Sequence, residues 1–123
     1  MKLHLAAEDG KNRFTGHGEG YVAVNGQRYE QSLAITANAV YDTWRVNGFA
    51  ELGEAHLAYL LELKPEIVIL GTGASQRFPP PLLLRDFAAA QIGIEVMATP
   101  AACRTYNILL AEGRAVLAAV LIV

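Results

Sequence analysis

A chain of 123 residues, 53% hydrophobic and 18% charged, has the apolar content to close one core, and intrinsic disorder is excluded on that ground. The formal net charge is −2 and lysine and arginine do not cluster, which argues against nucleic acid and against polybasic attachment to a membrane. Cys103 is the only cysteine, so no internal disulfide forms, and a secreted disulfide scaffold is excluded.

The chain opens on Met1, Lys2 and a short apolar stretch, then turns acidic at Glu8 and Asp9. This is neither a signal peptide nor an Arg- and Ser-rich transit peptide. The longest apolar run, Ala115 to Val123, falls far short of the roughly 20 residues a spanning helix needs. A cytoplasmic protein without a membrane span is expected.

The first half alternates and is rich in glycine and β-formers. Gly16 to Gly20 break the chain, and Tyr21 to Val24 read as a strand. Asn25-Gly26 is the dipeptide best suited to a type I′ turn, because both central residues need positive φ. A returning strand is expected from Gln27, extending to Ile35 and Thr36. Val40 to Val46 alternates apolar and polar, another strand signal. An antiparallel meander follows from these elements.

From Asn47 the period changes. Leu57, Leu60 and Leu61 have helical spacing, with Glu51 and Glu54 at the end where the macrodipole favours acids. Lys64-Pro65 ends that helix. Ile67 to Leu70 form a short continuous apolar run, as in a strand buried on both faces, and Gly71-Thr72-Gly73 is expected to stop it. Three prolines, Pro79 to Pro81, lead into a helix from Leu82 to Gln91, with Gly93 as its C′ residue. Ile94 to Met97 form the next strand. Thr99-Pro100 predicts a helix start, Thr as N-cap and Pro at the first helical position. That helix runs to Gly113, and Arg114 to Val123 close the chain as an apolar strand. The fold class expected is α/β: one three-layer domain over residues 1–123, with a mixed central sheet, an N-terminal antiparallel meander and a C-terminal β-α-β-α-β half.

Two stretches are distinctive together: Pro65 to Gly73, ending in Gly-Thr-Gly, and Gly93 to Asn107, containing Thr99-Pro100 and Arg104-Thr105-Tyr106-Asn107. With Glu112-Gly113-Arg114 and the apolar tail, they resemble a family of small bacterial and archaeal proteins of unknown function. That family is related to the mitochondrial NADH dehydrogenase (complex I) alpha subcomplex assembly factor 3. The resemblance implies a three-layer fold around a mixed sheet, no established catalytic activity, and a role in assembly.

The residues also point to one edge. If the strands ending at Leu70 and Met97 are joined by a crossover helix, they run parallel, and Gly71-Thr72-Gly73 and Thr99 emerge together. Ligands bind open α/β sheets at that edge, and a helix N-terminus there suits an anion. The candidate ligand-binding residues are Gly71, Thr72, Gly73, Ser75, Arg77, Thr99, Arg104 and Asn107, with Gln76 between them. The plainer reading is that the glycines serve only a tight turn and close packing.

Other chemistries fit less well. Gly-Thr-Gly lacks the third glycine and the directly following helix of a dinucleotide fingerprint. Gly16 to Gly20 lack the Lys-Ser/Thr of a phosphate loop. Cys103 lies near a helix start, where a thiol is activated, but a buried packing role is commoner. Trp44 and Tyr41 are open between core and interface. His4, His17 and His56 are scattered without ligand spacing, so no metal is indicated, and no cofactor is implied. No acid–base set accompanies the edge, so a non-enzymatic interaction or assembly module is preferred, with a protein partner or a second copy of the chain. The alternative is a binding protein or enzyme for a small anionic ligand at the Gly71–Gly73 and Thr99 edge.

Overall fold

The computed structural model describes residues 9–123; His4 and the opening stretch expected to carry no targeting signal lie outside the described residues. Two sheets organise the chain. The first contains β1 (Phe14–Gly18), β2 (Tyr21–Val24) and β3 (Gln27–Tyr29), antiparallel in that order, with a bulge between Phe14 and Gly16. Asn25 (φ 53°) and Gly26 (φ 86°) make the expected two-residue turn. The second sheet adds β4 (Leu33–Ile35), β5 (Val40–Tyr41), β6 (Ile67–Thr72), β7 (Gly93–Met97) and β8 (Val116–Leu121), in the order β5-β4-β8-β6-β7. In it, β6 runs parallel to both β7 and β8, while β4 runs antiparallel to β8 and β5. The sheet is therefore mixed.

Three helices cover it: α1 (Glu54–Glu62), α2 (Pro81–Ala89) and α3 (Thr99–Ala111). The two-residue period of the strands decides which face each side chain enters. Val116, Ala118 and Val120 of β8, with Ile69 of β6, pack on Cys103, Tyr106 and Leu110 of α3 and on Phe14, Val22 and Val24 of the small sheet. Leu117, Ala119 and Leu121, with Val68 and Leu70, face Leu57 and Leu60 of α1 and Phe87 of α2. Three layers result: α1 and α2, the five-stranded sheet, and α3 beside the three-stranded sheet. Burial on both faces is why β6 and β8 read as unbroken apolar runs.

Four expectations are corrected. The antiparallel meander is present as β1, β2 and β3, but its last strand stops at Tyr29, short of Ile35 and Thr36, and β4 joins the other sheet. Buried Ser32 marks the break; its hydroxyl donates to the Trp44 carbonyl (2.8 Å) and accepts the Val46 N–H (2.7 Å). Only Val40–Tyr41 of the alternating run to Val46 is strand. Trp44 and Val46 are buried without a ladder, and Trp44 Nε1 donates to the His56 carbonyl (3.0 Å). Gly71 and Thr72 do not stop β6 but lie inside it, opposite Val120 and Leu121 of β8. Finally, α2 ends on Gln91 (φ 60°), not Gly93: the Gln91 and Ile92 N–H groups return to the Ala88 and Phe87 carbonyls. This pairing satisfies the end of the helix and leaves Gly93 free to begin β7.

Candidate functional site

The parallel pairing of β6 with β7 sets Gly71 beside Met97, so the loops after both strands leave the sheet at one edge. Thr99 is the centre of that edge and is fully buried. Its hydroxyl accepts the Gly73 N–H (2.9 Å) and donates to the Leu121 carbonyl (2.6 Å), while its own N–H donates to the Gly73 carbonyl (2.9 Å). One side chain thus ties the ends of β6 and β8 to the first residue of α3. Thr99 does not cap its helix: it is the first helical residue, and Ala98 stands at the N-cap.

The glycines serve this junction. A Cβ on Gly71 would lie 2.9 Å from Thr99 Oγ1, 3.1 Å from Ala102 Cβ and 3.1 Å from Thr99 Cα. Only glycine lets α3 come that close to β6. Gly73 has φ 98°, a conformation side chains rarely adopt. Thr72 holds the following loop: its hydroxyl donates to the Ser75 carbonyl (2.7 Å) and accepts the Arg77 N–H (3.1 Å).

Helix N-termini bind anions through free N–H groups. In α3, Thr99 uses its N–H on Gly73, Pro100 has none, and Ala102 bonds Ala98. Ala101 is the one N–H of the first turn for which the described residues provide no partner. Ser75, Gln76 and Arg77 are exposed. The Gln76 amide donates to the Val96 carbonyl (2.9 Å), and the Arg77 guanidinium lies 4.5 Å from the centre of the Phe49 ring. Gly71, Thr72, Gly73, Ser75, Arg77 and Thr99 are therefore brought together.

Arg104 and Asn107 are not at that edge but farther along α3, facing β1. Asn107 accepts the Phe14 N–H (3.0 Å) and donates to the Phe14 carbonyl (2.8 Å). Its amide occupies the edge of β1 as a neighbouring strand would. Arg104 is exposed and, with His17 and Thr15, borders a groove of about 220 Å³ between β1 and α3. Cys103 lies at the base of that groove. Burial pushes its thiol up to about 12, with the Arg104 charge acting in the opposite direction, so it is a packing group and not a nucleophile at neutral pH. Tyr106 donates to the Asn12 carbonyl (2.9 Å) and meets Phe14 edge to face at 5.4 Å. Burial raises its phenol as well. Among the described residues, no three His, Cys, Asp or Glu side chains gather as a metal site.

Surface residues beside the edge escaped the pattern reading. Phe78 and Leu82 flank the three prolines and are 67% and 68% exposed. The signal was present: bulky apolar residues on both sides of a stiff Pro79-Pro80-Pro81 run, where neither helical nor strand period requires them.

Comparison with known proteins places the chain. A family model described as "Protein of unknown function (DUF498/DUF598)" matches residues 14–121. The chain is 30% identical over 102 residues to the "13 kDa major membrane protein" of Francisella tularensis subsp. holarctica, covering 82% of this chain and 83% of that one. It is 37% identical over 93 residues to the Bos taurus "NADH dehydrogenase [ubiquinone] 1 alpha subcomplex assembly factor 3", covering 74% of this chain and 50% of the bovine protein. The match thus spans half the length of that relative. A crystal structure of a Bordetella parapertussis protein superposes with a TM-score of 0.85 at 38% identity, covering 90% of this chain and 95% of that one.

Proposed function

The chain belongs to the DUF498/DUF598 family of proteins of unknown function, and from that premise we propose that it is a protein-interaction module serving the assembly of a larger complex. The observation that carries this reading is the state of the Gly71–Gly73 and Thr99 edge. Thr72 and Thr99 spend their hydroxyls on backbone groups of the protein, and Thr99 is wholly buried. A ligand pocket needs convergent polar groups that are still unsatisfied. In this proposal Gly71, Thr72, Gly73, Thr99 and Asn107 are struts of the fold. Ser75 and Arg77, with exposed Phe78 and Leu82, form the contact surface that the struts present. Large apolar side chains left in water at neighbouring positions mark such surfaces.

The partner we assign is a polypeptide subunit of a complex built at a membrane. Two relatives support this by name, one as an assembly factor and one as a membrane protein. The chain would work from the cytoplasmic side. No helix among the described residues is long and apolar enough to cross a membrane.

A photo-crosslinking residue at position 78 tests the reading in cells. One defined polypeptide is expected to be captured, and Leu82→Asp should abolish capture while the melting temperature stays within about 2 °C, as surface changes usually do. The opposing result is a rise in melting temperature with phosphate, nucleotides or carboxylates that Arg77→Ala, the cation at that edge, removes. A ligand that binds only the folded state gives such a rise by mass action, and the anionic-ligand reading would then replace this one.

A further inference from the structure

Strand edges carry unpaired N–H and C=O groups and invite pairing unless they are covered. The two sheets end on β1, β3, β5 and β7. Asn107 covers β1 with its amide, and Gln76 covers the Val96 carbonyl of β7. β5 has only two residues. β3 is different. In a hairpin with a two-residue turn, the residues flanking the turn, here Val24 and Gln27, bond to each other. The alternation of antiparallel pairing then turns the Arg28 N–H and C=O away from β2. Glu30 lies one residue past the end of β3, where the same alternation, continued, would turn its N–H and C=O outward. Among the described residues no strand lies beyond β3; its edge opens instead onto a groove of about 580 Å³ whose far wall includes Asp42 and Arg45.

The side chains on this edge are self-complementary. Arg28 and Glu30 share one face, with Nη2 and Oε2 3.8 Å apart and 59% and 73% of the side chains exposed. The Arg28 guanidinium lies 3.8 Å over the Tyr21 ring, which holds it along the sheet. From this geometry we infer that β3 is a self-association edge: two copies pair antiparallel about a two-fold axis at Tyr29, each Arg28 opposite the Glu30 of the other. Both pairs are of the hydrogen-bonded kind in that register, and opposite charges facing across strands stabilise it. Shifting the axis to Arg28 or to Glu30 sets like charges opposite each other, which is unfavourable. The charge pattern therefore selects one register, and the interface is isologous, as closed dimers require. The inference is independent of the assembly reading and stands or falls separately from it.

An edge this short gives a weak dimer. The test is sedimentation equilibrium of the whole chain up to ~1 mM, the weak limit of useful affinity, with backbone amide NMR on the same samples. Expected are a reversible dimer and concentration-dependent shifts at Arg28 and Glu30. Arg28→Glu or Glu30→Arg alone should weaken association at least about fivefold, since each turns two attractive pairs repulsive. The double exchange R28E/E30R should recover it. Arg28→Pro removes the outward N–H at an edge position that tolerates proline and should abolish dimerisation with amide shifts elsewhere unchanged. A chain that stays monomeric overturns the inference, whether the edge then binds an unrelated segment or nothing. So does a dimer indifferent to these changes, or a double variant as weak as the single ones.

Discussion

Replacing Thr99 with Val keeps the shape of the side chain and deletes one hydroxyl. That hydroxyl is fully buried, accepts the Gly73 N–H at 2.9 Å and donates to the Leu121 carbonyl at 2.6 Å. Without it both backbone groups lose a partner where water does not reach. A buried group left unsatisfied costs about 1–3 kcal/mol. The Gly73 and Leu121 losses share one site, so about 2–4 kcal/mol is expected for the pair. For a chain of this size each kcal/mol moves the melting temperature by about 3–5 °C, so T99V should melt roughly 6–20 °C lower. Thr99→Ser keeps the hydroxyl and deletes only a methyl, and about 1 kcal/mol is expected for that. Calorimetry on the wild type and both variants measures the contrast. If T99V and T99S melt together, the hydroxyl is not the strut described above.

Three further predictions follow from the same geometry. Gly71→Ala places a Cβ 3.1 Å from Ala102 Cβ and from Thr99 Cα, so α3 must shift; a loss of about 1–3 kcal/mol is expected from urea midpoints, with the T99V change no longer additive to it. Asn107→Ala uncovers the Phe14 N–H and carbonyl, a loss of about 1–3 kcal/mol, with faster hydrogen exchange at Phe14 as its local signature. Cys103 and Tyr106 are both raised by burial, so the folded chain keeps protons that the unfolded chain releases. Stability is then level at neutral pH and falls as pH climbs above 9.0, the ordinary thiol value, toward about 12. Cys103→Ala should flatten part of that slope, and the native thiol should resist alkylation at pH 8 until the chain is unfolded.

Elements that depend on near neighbours were legible from the residues. Asn25-Gly26 forms its turn, and the apolar runs of β6 and β8 are buried strands, because these signals are local or periodic. What failed depended on a distant partner. Nothing near Ser32 announces that its hydroxyl will meet Trp44 and Val46, 12 and 14 residues on, yet that contact diverts the chain from one sheet to the other. From Thr43 to Val46 exposure does alternate, with Trp44 and Val46 buried, but a loop and not a ladder produces it. Gln91 takes the positive φ that Gly93 was expected to supply, because the returning hydrogen bonds to Phe87 and Ala88 outweigh the cost of a side chain there.

The candidate edge teaches a sharper lesson about what small residues at a strand end mean. Gly-Thr-Gly followed by a helix start reads as a place where a ligand approaches backbone. Here backbone does approach closely, but the visitor is the protein's own helix: the space a Cβ on Gly71 would fill belongs to Thr99 and Ala102. The same elements of sequence serve either purpose, since both need missing side chains and short hydroxyls. They are told apart by whether the hydroxyls and N–H groups are already matched. In this chain Thr72, Thr99 and Asn107 are matched, and beyond the Ala101 N–H the unmatched groups among the described residues include the outward-displaced apolar pair Phe78 and Leu82 and the backbone of β3. Surfaces of those two kinds are satisfied by other polypeptides more readily than by small anions.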